Sequence, residues 1–552
     1  MSEKLMPWDK IDRSRENWEI AKDYLIMKAE RKFELVQFKD IIEKCADTSA
    51  TEWWDKVIPG YGSGLWCPIY YAITVAGGVR NSVIVIHGAQ SCVTAVRHFF
   101  VLYVGGGGNY YWGNPFTFVA CTDLNERDNI LGAPEKLKKT LLEVDELHKP
   151  EIIFVAPTCG PGMIGEPIEE VIEDVKPELK YAQEVVYLDL PGFKAIDEGD
   201  MMRLATTDYW TALMPEPKQK VKGAVNVIGD YRGTYISERE GFKPNFPSTY
   251  DEINSILKAL GLKLHVIVPQ SSLADIRRAP EAEFNIVNCP MLAYPICEEM
   301  EKKFGIPYSP HVYPLGREGI TNYIMAFAKH FGKEKEAQKY IDERWERDGV
   351  EPLWQEAKKL VKDKTVFMDS AISMTSVNRQ LGYARMLQEL GVDPEKIIFF
   401  NIGPSELIGR REGVEYFLST SAAGKPFNPK FLWWPAPHAI KLSPIEVAEW
   451  LGVKDSEILH LYGDLGWYTK APRWDASNIA QVQSSIHFRR RRNVCQRSIF
   501  FSGTKALLRD TILAIKGTAR KGKWSLYSRI LGKWPVPEPA EIIESKKGIS
   551  VE

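Results

Sequence analysis

Short runs of apolar, often β-branched residues recur along the chain after residue 58, and segments with the spacing of amphipathic helices separate them. Loops that contain glycine, proline, cysteine or polar residues follow the runs. The runs are residues 82–86, 151–155, 184–188, 223–228, 262–268, 284–287, 364–368 and 396–401. Continuous apolar runs that alternate with helices are typical of parallel strands buried on both faces. The pattern therefore predicts α/β units.

The alternation predicts three Rossmann-like α/β domains with parallel sheets, over residues 59–215, 216–350 and 351–480. Their borders fall near Pro215-Glu216-Pro217 and in the charged stretch 333–364. We predict a helical N-terminal arm over residues 1–58 and a basic C-terminal segment over residues 481–552. In such folds, ligands bind at the carboxyl ends of the strands and between domains.

Charge and composition narrow the class of protein. The 552 residues include 71 lysines and arginines and 73 aspartates and glutamates, so the net charge is −2 and gives no reason to expect a nucleic-acid partner. The first residues are charged and lack the apolar stretch of a signal peptide. Apolar runs of about 18 residues, the length that spans a membrane, do not occur. We expect a cytoplasmic protein with no membrane partner.

The chain has eight cysteines, and because disulfides are rare in the cytosol, we expect them to be core residues, ligands or reactive groups. Cys92, Cys159 and Cys289 each come shortly after a predicted strand, and Cys67 opens the first α/β domain. They form no Cys-x-x-Cys pair, which argues against a zinc finger or a bacterial ferredoxin motif. Single cysteines on separate strand-end loops can converge on one large cluster, and soft thiolates suit iron and sulfide.

Four segments together resemble the nitrogenase component 1 family. They are His87-Gly88-x-x-x-Cys92, the acidic segment from Thr122 to Gly132, Cys159-x5-Gly165, and Asn288-Cys289 followed by Met300 to Pro307. The last of these resembles the segment that bears the cofactor cysteine in the larger, D-type (alpha) subunit. The order and spacing of the four segments, more than any one of them, carry the resemblance.

The resemblance implies a set of cofactors and partners. Cys67, Cys92 and Cys159 match ligands of a P-type [8Fe-7S] cluster, shared with a K-type (beta) sister subunit in an α2β2 assembly. Cys289 matches the residue that binds a second, larger iron–sulfur cofactor, where a small-molecule substrate is reduced. A separate ATP-hydrolysing homodimer with its own [4Fe-4S] cluster delivers the electrons.

Departures from the family pattern argue against dinitrogen as the substrate. Glu166-Pro167 stands where the family prefers two aspartates, and Ser91 stands where it prefers glycine or alanine. The stretch 189–194 carries no histidine. The best counterpart of the family's "P-Y-H-G-F-x-G-F", whose histidine ligates the distal metal, is 498–503, again without histidine. We therefore expect an iron-only cofactor, although the sequence leaves its heterometal open. The methylthio-alkane reductases, which cleave C–S bonds, are the nearest analogy.

The second protein ligand of that cofactor is left open between His487 and Cys495. Arg97 and His98, on the helix after Cys92, could stabilise cluster charge and relay protons, or could equally fill a core. His87 is expected to orient its loop by hydrogen bonding rather than to bind metal. Cys121 is predicted to be a buried thiol, and Cys45 and Cys297 to be structural.

Other functions remain possible from the sequence. A scaffold for assembly of a nitrogenase-type cofactor would share the interface cysteines and a residue like Cys289, and would also lack the distal histidine. A true nitrogenase alpha subunit fits less well because of the departures above. A tetrapyrrole reductase would need no second cluster, and the match at Cys289 argues against it.

Overall fold

The computed structural model of the chain describes the α/β core. The described residues are 26, 30, 33–41, 69, 76, 79–99, 117–194, 209–230, 249–269, 271–288, 290–310, 313–369, 376–401, 418–433, 442, 444–462, 479–483 and 499–516.

All eight predicted strands are present, with ends that shift by at most two residues. The strands are β1 (Glu34–Gln37), β2 (Ser82–His87), β3 (Thr117–Cys121), β4 (Ile152–Pro157), β5 (Glu184–Tyr187), β6 (Ala224–Asp230), β7 (Lys263–Pro269), β8 (Phe284–Val287), β9 (Thr365–Asp369), β10 (Ile397–Phe400), β11 (Ser421–Ala422), β12 (Lys425–Pro426), β13 (Lys430–Trp433), β14 (Ile458–Tyr462) and β15 (Ala480–Gln483).

Helices follow most of the strands. They are α1 (Gln90–Phe99), α2 (Glu126–Leu131), α3 (Pro134–His148), α4 (Cys159–Ile164), α5 (Ile168–Val175), α6 (Tyr209–Ala212), α7 (Thr249–Ala259), α8 (Leu273–Arg278), α9 (Pro290–Phe304), α10 (Gly316–Ala328), α11 (Glu334–Arg347), α12 (Glu351–Val361), α13 (Ser376–Glu389), α14 (Pro444–Leu451) and α15 (Phe500–Ile515). Short 3₁₀ turns occupy Lys176–Glu178, Gly192–Lys194, Ala279–Glu281, Pro394–Lys396 and Asp455–Glu457.

Three sheets share one topology. Their strand orders are β3-β2-β4-β5, β7-β6-β8 and β1-β13-β10-β9-β14-β15, and every pairing in them is parallel except that of β1 with β13. In each sheet the chain first steps to one side of a central strand and then returns to its other side. The chain therefore reverses between β2 and β4, between β6 and β8, and between β9 and β14. The prediction of an α/β fold with parallel sheets is confirmed.

The first sheet shows why the apolar runs form strands. Every residue of β2 and β4 is buried, as expected when helices cover both faces of a parallel sheet. Val83 and Val85 pack with Leu137 and Leu141 of α3, whereas Ile84 and Ile86 face the opposite core. This two-sided packing fixes the strands, so their carboxyl ends meet at one edge.

The third sheet draws on both ends of the chain. Strand β1, from the arm that was predicted to be helical, pairs with β13 at the sheet edge. From the predicted basic segment, helix α15 buries Phe500, Phe501, Leu507 and Leu508 in the core. Its Thr504 hydroxyl accepts a hydrogen bond of 3.2 Å from the Gly316 N–H. The three-domain division itself stays a prediction.

Candidate metal centre

The first sheet brings two of the predicted cysteine ligands to one edge. Cys92 lies in the first turn of α1, after β2, and Cys159 is the first residue of α4, after β4. Cys92 is half-buried and Cys159 is exposed. Burial first, and then the neighbouring Cys159 thiol, raise the pKa of Cys92 above its ordinary value. His87, which precedes the Cys92 loop, pairs with Pro157, which precedes Cys159, so the two cysteines follow neighbouring strands at the same edge of the sheet, where the chain reverses.

Close backbone packing joins the two cysteine loops. The Thr158 N–H donates a hydrogen bond of 2.9 Å to the His87 carbonyl. A methyl group on Gly88 would lie 2.0 Å from Cγ2 of Thr158, inside any possible van der Waals contact. Only glycine allows this approach, which explains its place in the motif that precedes Cys92.

His87 hydrogen-bonds through both ring nitrogens. Its Nδ1 lies 3.1 Å from Thr122 Oγ1 and its Nε2 lies 3.0 Å from Glu166 Oε2. A carboxylate can only accept, so the ring proton sits on Nε2, and Nδ1 of the neutral ring accepts from the Thr122 hydroxyl, whose oxygen also accepts from the Gly88 N–H at 3.0 Å. Burial lowers the pKa of His87, against the opposing effect of Glu166. The imidazole thus orients its loop, which agrees with the role predicted for it.

Glu166 ties a third segment to this edge. Its Oε1 accepts a hydrogen bond of 2.7 Å from the Ala133 N–H, in the link between α2 and α3. At the start of α2, Asn125 and Asp128 form a reciprocal capping box. Cys121 is half-buried, and its thiol donates to the Gly88 carbonyl at 3.4 Å. The same sulfur accepts a hydrogen bond from the Asp123 N–H at 3.3 Å.

An exposed apolar patch lies beside Cys159. It comprises Ile130, Leu131, Met163, Ile164 and Phe193. Three of these side chains are about 70% exposed, at 71%, 68% and 70% for Ile130, Leu131 and Met163. A methyl group on Gly162 would lie 3.3 Å from the Phe193 ring, which places that ring against α4. Contiguous exposed apolar surface of this kind marks contacts between proteins.

Most of the remaining predicted site residues lie wholly or partly outside the described residues. Those that lie outside the described residues are Cys67, Cys289, His487, Cys495 and Cys45. The backbones of Arg97 and His98 lie in α1, but their side chains also fall outside the described part, so their roles stay predictions. Cys297 is buried in α9, and burial raises its pKa well above the ordinary value, which agrees with a structural role.

Sequence reasoning missed a second polar cluster, at the edge of the third sheet. Asp369, at the end of β9, accepts a hydrogen bond of 2.9 Å from Asn401 Nδ2. His460 Nε2 lies 3.6 Å from the other oxygen of Asp369, and all three residues are buried. Asn401 also exchanges two 2.9 Å hydrogen bonds with the Leu442 backbone. The available signal was an ionisable residue within an apolar run, which the strand prediction ignored.

No described helix has both the length and the apolar character to cross a membrane. Within the same part of the chain, no three His, Cys, Asp or Glu side chains gather into a cage for a metal ion.

Comparison with known proteins decides the family. A family model described as "Nitrogenase component 1 type Oxidoreductase" matches residues 67–414, more than half of the chain. The chain belongs to the nitrogenase component 1 type oxidoreductases. The match begins at Cys67 and includes Cys92, Cys159 and Cys289.

Relatives within this family have two kinds of function. The chain is 25% identical over 363 residues to a nitrogenase molybdenum–iron protein alpha chain from Methanosarcina barkeri, covering 64% of this chain and 63% of the relative. It is 28% identical over 286 residues to the nitrogenase iron–molybdenum cofactor biosynthesis protein NifE from Methanococcus maripaludis, covering 50% and 53%. The matched segment thus spans roughly half to two thirds of these relatives.

Solved structures in the nitrogenase component 1 family share the fold. Nitrogenase Cp1 at pH 5 superposes with a TM-score of 0.60 at 19% identity, covering 84% of this chain and 90% of that one. At pH 6.5 the TM-score is 0.61 at 18% identity, covering 85% and 92%. The shared architecture extends beyond the segment that sequence comparison matches.

Proposed function

We propose that this chain is the D-type catalytic subunit of a nitrogenase-like, ATP-dependent reductase. Cys67, Cys92 and Cys159 would hold a P-type [8Fe-7S] cluster, and Cys289 would hold a larger iron–sulfur cofactor at which substrate is reduced. The observation that carries the proposal is the meeting of Cys92 and Cys159 where the first sheet reverses.

The donor atoms at this edge fit an iron–sulfur cluster. His87 and Glu166 use their ring nitrogens and carboxylate oxygens in hydrogen bonds with each other, with Thr122 and with the backbone. Among the described residues of this edge, the sulfur of Cys121 is held by the Gly88 carbonyl and the Asp123 N–H, which leaves the sulfurs of Cys92 and Cys159 for a cluster. Thiolates are the ligands that iron–sulfur clusters require. When bound, such a cluster stores and transfers electrons.

The apolar patch supports a protein partner at the same place. A shared cluster needs a sister subunit to bring its own ligands to the exposed Cys159 thiol. Exposed Ile130, Leu131 and Met163 provide the apolar surface that an obligate interface buries. We propose a K-type sister subunit in an α2β2 assembly, with an ATP-hydrolysing [4Fe-4S] homodimer as the electron donor.

Helix α15 supports a cofactor other than the molybdenum one. Phe500 has a left-handed backbone with φ +58°, a conformation that favours glycine. Aligning Phe500 to Gly503 with Gly-Phe-x-Gly of the family motif puts this left-handed residue at the motif's glycine. The metal-ligating histidine then corresponds to Ile499, a buried apolar residue that cannot ligate. We propose an iron-only cofactor and C–S bond cleavage of methylthio-alkanes by analogy with the methylthio-alkane reductases.

A scaffold for cofactor assembly is the second candidate. The 28% identity to a cofactor biosynthesis protein favours it, and a scaffold would not need a ligand at position 499. It differs from a catalyst in how firmly it holds the second cluster.

The test is anaerobic co-purification with the sister subunit, followed by iron counting and EPR. Two eight-iron clusters per pair give about sixteen irons and support the reductase. About four irons at the interface, as for a single cubane cluster, with a second cluster that is lost on gel filtration would support the scaffold. Cys92→Ala and Cys159→Ala should lose interface iron, and Cys297→Ala should keep it. Thioether consumption with ATP and reductant, compared with ammonia formation from dinitrogen, tests the substrate.

A further inference from the structure

Three segments meet at the first edge through one buried carboxylate. Glu166 follows the Cys159 helix, His87 begins the Cys92 loop, and Ala133 links α2 to α3. The histidine–glutamate bridge, His87 Nε2 to Glu166 Oε2 at 3.0 Å, joins the two cysteine loops directly, and its side chains are 0% and 1% exposed. The Ala133 N–H holds the second carboxylate oxygen at 2.7 Å.

We propose that His87 and Glu166 are positioning residues, which set the separation of the Cys92 and Cys159 thiolates and tune the reduction potential of the cluster that they hold. The inference rests on the proposed function. It assigns neither residue as an iron ligand.

The hydrogen-bond network allows this role because each donor in it has an acceptor and the bonds all run in one direction along the chain of groups. The Gly88 N–H donates to Thr122, the Thr122 hydroxyl donates to His87, and His87 donates to Glu166. Reversing the Thr122–His87 bond would move the ring proton to Nδ1 and leave the Glu166 carboxylate facing a ring nitrogen without a proton, at a cost of about 1–3 kcal/mol. The loops thus have one preferred arrangement before any cluster is bound.

The length of the Glu166 side chain matters for the bridge. The family prefers aspartate at this position, one methylene shorter. Here one carboxylate oxygen lies 3.0 Å from an imidazole nitrogen on one loop, and the other lies 2.7 Å from a backbone amide on another. A shorter side chain would have to give up one of the two contacts unless the loops moved closer together.

Outer partners of metal ligands affect both affinity and potential. Removing one typically lowers metal affinity by about 10–100-fold. The net charge and hydrogen bonds around an iron–sulfur cluster set its potential. A neutral side chain in place of Glu166 should therefore make the cluster easier to reduce.

The experiment compares four variants with the wild-type chain, each purified anaerobically with the sister subunit. His87→Gln, Glu166→Gln and Glu166→Asp change the bridge. His265→Gln is the matched control, because His265 Nε2 lies 3.3 Å from Glu281 in the second sheet, away from the cysteines. The readouts are the rate of iron loss to a chelator, the EPR line shape, the midpoint potential of the interface cluster and the melting temperature.

We expect His87→Gln and Glu166→Gln to lose iron about tenfold faster than the wild type. Glu166→Gln should also raise the midpoint potential. Glu166→Asp, which keeps the charge, should restore the potential but change the line shape. His265→Gln should match the wild type in all cluster readouts.

The inference is wrong if the bridge variants keep the iron-loss rate, line shape and potential of His265→Gln while Cys92→Ala and Cys159→Ala lose iron. That result would leave the proposed function standing. A faster loss of iron that only follows a lower melting temperature, with the potential unchanged, would indicate a purely structural bridge and also overturns the inference. Absence of any cysteine-dependent cluster in the wild type would overturn the proposed function, and the inference with it.

Discussion

The carboxyl edges of the first and third sheets both place a buried histidine beside a carboxylate, yet they are built differently. At the first edge, hydrogen bonds of 3.1 Å and 3.0 Å occupy the two nitrogens of His87, and the loops present Cys92 and Cys159 outward. At the third edge, His460 Nε2 lies 3.6 Å from Asp369, too far for a hydrogen bond, although close enough for an ion pair.

The comparison shows that two edges with the same position in their sheets can present different chemical groups. Both edges lie where the chain reverses across a central strand, the usual place for ligands in open α/β sheets. The first edge uses its buried polar network to support exposed thiols. Among the described residues of the third edge, the network ties strand ends together through Asp369 and Asn401. We infer that the first edge serves chemistry and the third serves stability.

The largest expected effect is at the third edge. Asp369→Ala removes the acceptor of Asn401 and the carboxylate beside His460, and breaking such a buried network costs about 3 kcal/mol. The measurement is the midpoint of urea unfolding, with Asp369→Asn as the milder control. Interface iron should stay at the wild-type amount. A loss of iron would mean that the two edges are coupled.

A smaller loss of stability, joined to a loss of iron, is expected at the first edge. Gly88→Ala forces a methyl group against Thr158 and should cost about 2 kcal/mol. Gly160→Ala is the control, because its methyl group would meet the end of the Asn129 side chain, which can move. The midpoint of urea unfolding and the iron content are measured for both variants. Equal effects of the two substitutions would refute the close packing of the cysteine loops.

The pH dependence of stability should come from the region beside the third sheet. Burial raises the pKa of Glu389 to about 8, against the effect of Arg385, and Glu318 is the other charge that faces it. A carboxyl whose pKa rises on folding stabilises the protein most in its protonated form. Stability should therefore fall as pH rises from about 5 through 8. Melting temperatures across this range should decline in the wild type and stay flatter in Glu389→Gln. An equal decline in both would contradict the assignment.

The smallest effect separates a structural cysteine from the ligands. Cys297→Ala should cost about 1 kcal/mol from lost packing, with no change in interface iron. Iron counting against Cys159→Ala tests this directly. If Cys297→Ala released iron, the buried thiol would have a role beyond packing.

The apolar pattern predicted strands that are buried on both faces. Residues 284–287 formed the predicted strand without change, because a continuous apolar run needs two covered faces. Strand β3 was missed since it is short and only partly buried, and β14 was missed since His460 interrupts its pattern. The arm's strand β1 forms through its pairing with β13, a distant partner that local pattern does not show.

The candidate site likewise contains features that the local sequence predicts and features that depend on distant residues. The places of Cys92 and Cys159 after β2 and β4 could be predicted because each follows a continuous apolar run, whereas their role as ligands stays a prediction. The hydrogen bond of Glu166 to His87 could not be predicted, because the two residues lie 79 positions apart in the chain. Pairing across such a distance depends on which loops the sheet brings together.

Phe500 begins helix α15 in a left-handed backbone conformation, which favours glycine. A left-handed conformation costs a non-glycine residue about 1 kcal/mol or more. Burial of the phenyl ring, packed edge-on against Tyr323, is worth about 1.5–3 kcal/mol and exceeds that cost. A search by residue type would pass over this turn, whereas a search by dihedral angles would find it. Restoring a ligand at position 499 would thus require a new side chain on an existing bend.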